Sequence, residues 1–124
     1  MRIVFEIANS KGRTMKMNYK LVALDIDGTL LNSKKELTPT NKAIIEEAIK
    51  NNVIFAISTG RPYITARIIG EVFDYDMPLI LYNGACVMTS RSHKVIYEHT
   101  LTKQQALSII KIINDKNGTY CFYH

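Results

Sequence analysis

Two aspartates one residue apart, Asp25 and Asp27, follow the apolar run Leu21–Leu24 in the string Asp25-Ile26-Asp27-Gly28-Thr29-Leu30. Side chains alternate along an extended chain, so acids at positions i and i+2 that keep this alternation project to one side. At about 4 Å and an effective dielectric near 20, two carboxylates repel by about 4 kcal/mol, which favours a proton or a cation between them. Magnesium, which takes oxygen ligands, suits such a pair. Gly28 and Thr29 add a residue without a side chain and a hydroxyl, so that backbone N–H groups can approach a phosphoryl oxygen closely. The same string also reads as a polar strand end closed by an Asx turn, and the spacing alone leaves both readings open.

A second polar cluster, Ser58-Thr59-Gly60-Arg61-Pro62, follows another apolar run, and Asn83-Gly84 follows a third. Arg61 reads equally as a group reaching an anionic substrate and as a surface residue at a helix start. Asn83 reads as a residue at the entrance to a site or as a left-handed turn residue before Gly84. His93, His99 and His124 form no ligand cluster at metal spacing and read as surface or partly buried residues. Cys86 and Cys121 show neither CxxC nor Cys/His ligand spacing, and both are expected to be buried thiols.

The elements that would carry these residues alternate between apolar runs and amphipathic stretches, as in β-α-β units on a parallel sheet. Leu21–Leu24 is apolar at consecutive positions, which suits a strand covered on both faces and ending at Asp25. Thr38 and Pro39 make a helix start, and Ile44, Ile45, Ala48 and Ile49 recur at helical spacing up to Asn51 and Asn52. Residues 53–57 form the second expected strand, rich in β-branched side chains. Pro62 opens a helix with a stripe of Ala66, Ile69, Val72 and Phe73. A third strand spans 79–82, and 85–88 with 95–97 can form a hairpin across the polar loop 89–93. Thr102 and Gln105 have capping-box spacing for a last helix that buries Ala106, Leu107, Ile110 and Ile113 and ends at Gly118. Residues 119–123 read as a strand.

Bulk properties narrow the function classes. With 124 residues, 47% of them hydrophobic, the chain can build one core and not two. Its longest apolar runs fall far short of the roughly 20 residues of a membrane helix, and its first residues lack a secretory pattern, so a cytoplasmic protein with no membrane partner is expected. The net charge of +5 is spread over scattered lysines and arginines without interleaved aromatics, which argues against nucleic acid and fits small anionic substrates.

DIDGTLL after one strand, STGRP after the next and NGA after the third together resemble the Cof-like branch of the haloacid dehalogenase superfamily, over about residues 19–124. The resemblance implies an α/β fold, a Rossmann-like parallel sheet core with a cap domain, and a magnesium-dependent phosphatase acting on small phosphorylated metabolites. It implies that Asp25 attacks phosphorus to form an aspartyl-phosphate and that Asp25 and Asp27 hold the metal, Asp27 through its backbone carbonyl. It further implies that Asp27 is the acid/base and that Thr59 bonds a phosphoryl oxygen, with Gly60 leaving room for the backbone to approach. Gly28, Thr29, Thr59, Gly60, Arg61 and Asn83 make up the expected phosphate and substrate site.

Family members continue into a segment that returns a stabilising lysine and further metal-binding acids, and neither motif occurs in these 124 residues. On that basis 1–16 is expected to be an extension, 17–100 the front of the core and 101–124 the start of an interrupted cap. Hydrolysis by this polypeptide alone is expected to be close to nil. The first strand is expected to keep a free edge prone to self-association, or capped by residues 2–7 as an extra strand. A noncatalytic phosphate-binding fragment is the alternative. A phospho-acceptor receiver domain is disfavoured because no aspartate ends either later strand.

Overall fold

The computed structural model describes residues 5–8, 14–17 and 20–123. Its main body is a five-stranded sheet in the order β3-β4-β5-β6-β7: β3 (Leu21–Leu24), β4 (Ile54–Ser58), β5 (Pro78–Leu81), β6 (Cys86–Thr89) and β7 (Val95–Glu98). β3, β4 and β5 are parallel, whereas β6 and β7 run antiparallel, so the sheet is mixed. The parallel pairs need long crossovers, which α1 (Pro39–Lys50) and α2 (Tyr63–Gly70) supply. The antiparallel strands follow short turns. A separate antiparallel pair joins β1 (Phe5–Ala8) to β2 (Thr14–Met17). Strand-forming residues near the amino terminus therefore pair with each other and not with β3; residues 2–4 lie outside the described residues.

Consecutive burial, expected for β3, falls instead on β4, where Phe55, Ala56 and Ile57 are all buried. β3 alternates between exposed and half-buried positions, with Leu21 53% exposed. The reason is position: β3 lies at one edge of the sheet, and among the described residues no strand pairs with its outer side. α1 packs on β4 and α2 on β5. Ile45 and Ala48 of α1, Ala66 of α2, and Phe73, Met77, Leu79 and Leu81 complete the core around Ile57. Two residues of the expected stripes miss it, because Ile44 and Val72 face outward.

α1 starts as its sequence indicates, with the Thr38 hydroxyl accepting from the Asn41 amide and Pro39 at the first position. α3 (Lys103–Asp115) has the full capping box between Thr102 and Gln105. Its left-handed end falls on Asn117 (φ 53°), and the Gly118 amide then donates to the Ile113 carbonyl at 2.8 Å. α3 buries none of its residues: Ala106, Ile110 and Ile113 are half-covered and Leu107 is exposed. Residues 119–123 are not a strand, since no neighbouring strand offers them a ladder among the described residues. Cys86 is buried, but Cys121 is exposed on that same segment. No helix among the described residues is long and apolar enough to cross a membrane.

Candidate active site

Asp25 stands directly after β3, in extended conformation at φ −73° and ψ 154°. The chain then folds into a tight loop closed by two i+5 hydrogen bonds, from the Leu30 amide to the Asp25 carbonyl (3.1 Å) and from Leu31 to Ile26 (3.0 Å). Asp27 is extended at φ −84°, and Gly28 turns the chain at φ 75°, a left-handed value that costs glycine least. Ile26 and Leu30 are fully or nearly buried, while Asp25, Asp27, Gly28 and Thr29 are exposed. Burial of Ile26 in the core leaves both flanking acids exposed beyond the strand end, but the chain leaves the extended conformation at Ile26, so strand-like alternation does not run on from Asp25 to Asp27. Open space surrounds Gly28 on the side where a Cβ would project. From α1, Asn41 Nδ2 donates to the Leu30 carbonyl at 3.1 Å and ties this loop to the helix start.

The cluster after β4 meets this loop. Thr59 is buried; its amide donates to Ile80, and its hydroxyl accepts from the Arg61 amide at 3.2 Å. Arg61 grips Asp27 with a bidentate fork, Nε to Oδ2 at 2.8 Å and Nη2 to Oδ1 at 2.5 Å. Of the two readings of Arg61, the structure thus shows a third: a partner of the second aspartate. The hydrogen bond from Arg61, with its charge and that of Lys35 adding and burial opposing, holds the Asp27 carboxyl below its ordinary value. The same hydrogen bond raises Arg61; burial opposes this, and the charges of Asp27 and Asp25 reinforce it.

The loop after β5 closes the group. Asn83 adopts φ 56° and ψ 33°, the turn geometry expected of it, yet it also lies against the site: its amide donates to Thr59 and its side chain lies against Gly60. Tyr82 is left-handed as well, at φ 51°, which an aromatic residue rarely adopts at a cost of about 1–3 kcal/mol. Its amide donates to the Arg61 carbonyl at 3.4 Å and its hydroxyl accepts from the Tyr63 amide at 3.3 Å, so it braces both sides of Pro62. No sequence signal pointed to Tyr82, because the turn motif drew attention to Asn83-Gly84. His93 is exposed and hydrogen-bonded to Tyr63 Oη, and His99 is exposed; His124 lies outside the described residues. Cys86 lies on β6, its thiol pushed up by burial and by the charge of Glu98.

The loops after β3, β4 and β5 thus meet in sequence at the carboxyl ends of parallel strands, Asp27 against Arg61 and Thr59-Gly60 against Asn83, a place where open α/β sheets put ligands. The family description "haloacid dehalogenase-like hydrolase" matches residues 22–124. The chain belongs to the haloacid dehalogenase-like hydrolase family. Among curated relatives, it is 31% identical to phosphatase YwpJ of Bacillus subtilis over 101 residues, 82% of this chain and 35% of that protein. It is 32% identical to the Bacillus subtilis 5-amino-6-(5-phospho-D-ribitylamino)uracil phosphatase YcsE over 103 residues, 83% of this chain and 41% of the relative. A solved haloacid dehalogenase-like hydrolase from Bacillus subtilis superposes with a TM-score of 0.70 at 30% identity, covering 79% of this chain and 34% of that one. The chain therefore spans 35% and 41% of the length of these two curated relatives.

Among the described residues, no three His, Cys, Asp or Glu side chains converge. Asp25 and Asp27 fit magnesium in kind, because that ion is commonly held by one or two carboxylates with water and phosphoryl oxygens filling the remaining positions.

Proposed function

We propose that this chain carries the nucleophile-bearing part of a magnesium-dependent phosphatase for small phosphorylated metabolites. The observation that carries the reading is the pair of exposed acids flanking buried Ile26, met by the Thr59-Gly60-Arg61 loop. An Asp25 oxygen attacks phosphorus, the bond from phosphorus to the ester oxygen breaks, and Asp27 gives that oxygen a proton. Water then attacks the aspartyl-phosphate, Asp27 takes the water's proton, and inorganic phosphate leaves with Asp25 regenerated. The buried Thr59 hydroxyl already accepts from the Arg61 amide and keeps its own proton to donate to a phosphoryl oxygen. Magnesium, when bound, offsets the charge that gathers between the acids and the phosphoryl oxygens.

Phosphoryl transfer to Asp25 is tested with acetyl phosphate, whose leaving group needs no proton. With magnesium present, prolonged incubation followed by peptide mass analysis is expected to find one phosphoryl group on the Asp25 peptide and none in Asp25→Asn. A folded chain that gains no phosphoryl group, or gains it equally in Asp25→Asn, overturns the assignment. A phosphate-binding fragment without turnover is the second reading, favoured by one observation: both oxygens of Asp27 are engaged by Arg61.

A further inference from the structure

Arg61 faces two demands that one guanidinium cannot meet together. Its fork now engages both oxygens of Asp27, so a leaving group would have to share that carboxyl with the guanidinium. The same planar fork matches the oxygens of a phosphoryl group as well as it matches a carboxylate. The base of the side chain is fixed, because the Arg61 amide donates to Thr59 Oγ1 and its carbonyl accepts from Tyr82. The tip is not fixed in the same way. The pair is open to solvent, with Asp27 52% and Arg61 27% exposed, and an ion pair in water is held weakly enough to be exchanged for another. Two acids, Asp25 and Asp27, lie within electrostatic reach of this single arginine.

We propose that Arg61 is an anion-operated latch on Asp27: a phosphoryl group arriving at the strand ends draws the fork to itself and frees the Asp27 carboxyl for the leaving oxygen. Arg61 is then a positioning residue toward Asp27 and a binding residue toward the phosphoryl group. Before the anion arrives, the second acid is withheld. This rests on the phosphatase reading above, and it adds a reason why the acid/base and its arginine are paired.

The test is a double-mutant cycle on the binding of inorganic phosphate alone, followed by amide chemical shifts in the 124-residue chain. Asp27→Asn is expected to tighten phosphate by about three- to tenfold, within the range of couplings that contacting pairs show. Arg61→Ala is expected to weaken binding and to erase that gain in the double variant. Arg61→Lys, which keeps the charge and loses the fork, is expected to bind phosphate while showing a smaller gain, and it carries the cycle should Arg61→Ala not fold. An equal gain from Asp27→Asn with and without Arg61 would mean simple relief of like-charge repulsion and would overturn the latch. So would no gain at all, or phosphate that shifts no amide near Asp27 and Arg61. Labelling of Asp25 by acetyl phosphate needs neither a released Asp27 nor the fork, so the latch and the phosphatase reading can fail separately.

Discussion

The side-chain oxygen of Asn83 lies 3.0 Å from where a Cβ on Gly60 would project, so these two residues are fitted to each other across the loops after β4 and β5. Gly60→Ala is expected to push the Asn83 amide aside and to cost about 1 kcal/mol in denaturant unfolding, at the low end for overpacking because the neighbour is a side-chain tip. Adding Asn83→Gly, which removes that side chain and tolerates the left-handed backbone, should return most of the loss. A Gly60→Ala cost unchanged by Asn83→Gly would show that the two do not touch in solution.

Ile26 links the core to the acids on either side of it. Ile26→Ala is expected to destabilise the fold by about 2–5 kcal/mol, since the side chain is 0% exposed. It should also shift the Asp25 and Asp27 amides far more than Leu79→Ala, an equally buried change elsewhere in the core. Similar site shifts from both variants would separate the loop from the packing of Ile26.

Ser90 is fully buried, its amide donating to the Met77 carbonyl and its hydroxyl accepting from the Met77 amide at 3.0 Å. Ser90→Ala leaves that buried N–H without a partner and is expected to cost about 1–3 kcal/mol by thermal or denaturant unfolding. Stability within experimental error of the parent would show that water replaces the hydroxyl.

The ion pair of Asp27 and Arg61 has a pH signature. Because the Asp27 carboxyl titrates below its ordinary 3.8 in the folded state, its contribution is present above that value and is lost as pH falls through the lowered one. Asp27→Asn should therefore flatten the stability profile in that acid window and leave its shape near neutrality unchanged. The effect is small because the pair is exposed. A profile that keeps its full acid slope in Asp27→Asn assigns the slope to other carboxyls.

At the sheet's open edge, β3 carries Leu21, Val22, Ala23 and Leu24 with no charge, proline or bulge to deter pairing, whereas the pairing with β7 at the other edge is irregular at Val87 and Met88. Concentration-dependent self-association is the expected result, measured by sedimentation, and Ala23→Lys should reduce it. Monomers at all concentrations would mean that this edge is shielded.

Much of this architecture was legible because it rests on local rules. Consecutive apolar residues marked β3, β-branched residues marked β4, and Thr38-Pro39 and Thr102/Gln105 marked helix starts. What was not legible depends on neighbours. Residues 119–123 have strand-forming side chains but no ladder to join among the described residues, and Leu107 sits on a helical stripe that is only half-covered. Nor was the pairing of Asp27 with Arg61 legible, because the two lie 34 positions apart and only the sheet order brings them together.

The mixed direction of the sheet bears on the order in which the protein assembles. Hairpin strands β5, β6 and β7 meet across short turns, while β3 must wait for a helix-bearing crossover before it can dock beside β4. Loop-closure entropy makes the distant pairing the slower step. Asp27 is thus expected to reach Arg61 near the end of folding, so that in pulse-labelling exchange the amides of β5 and β6 gain protection before those of β3, and a polypeptide still emerging or half-collapsed has not yet joined the loops after β3 and β4.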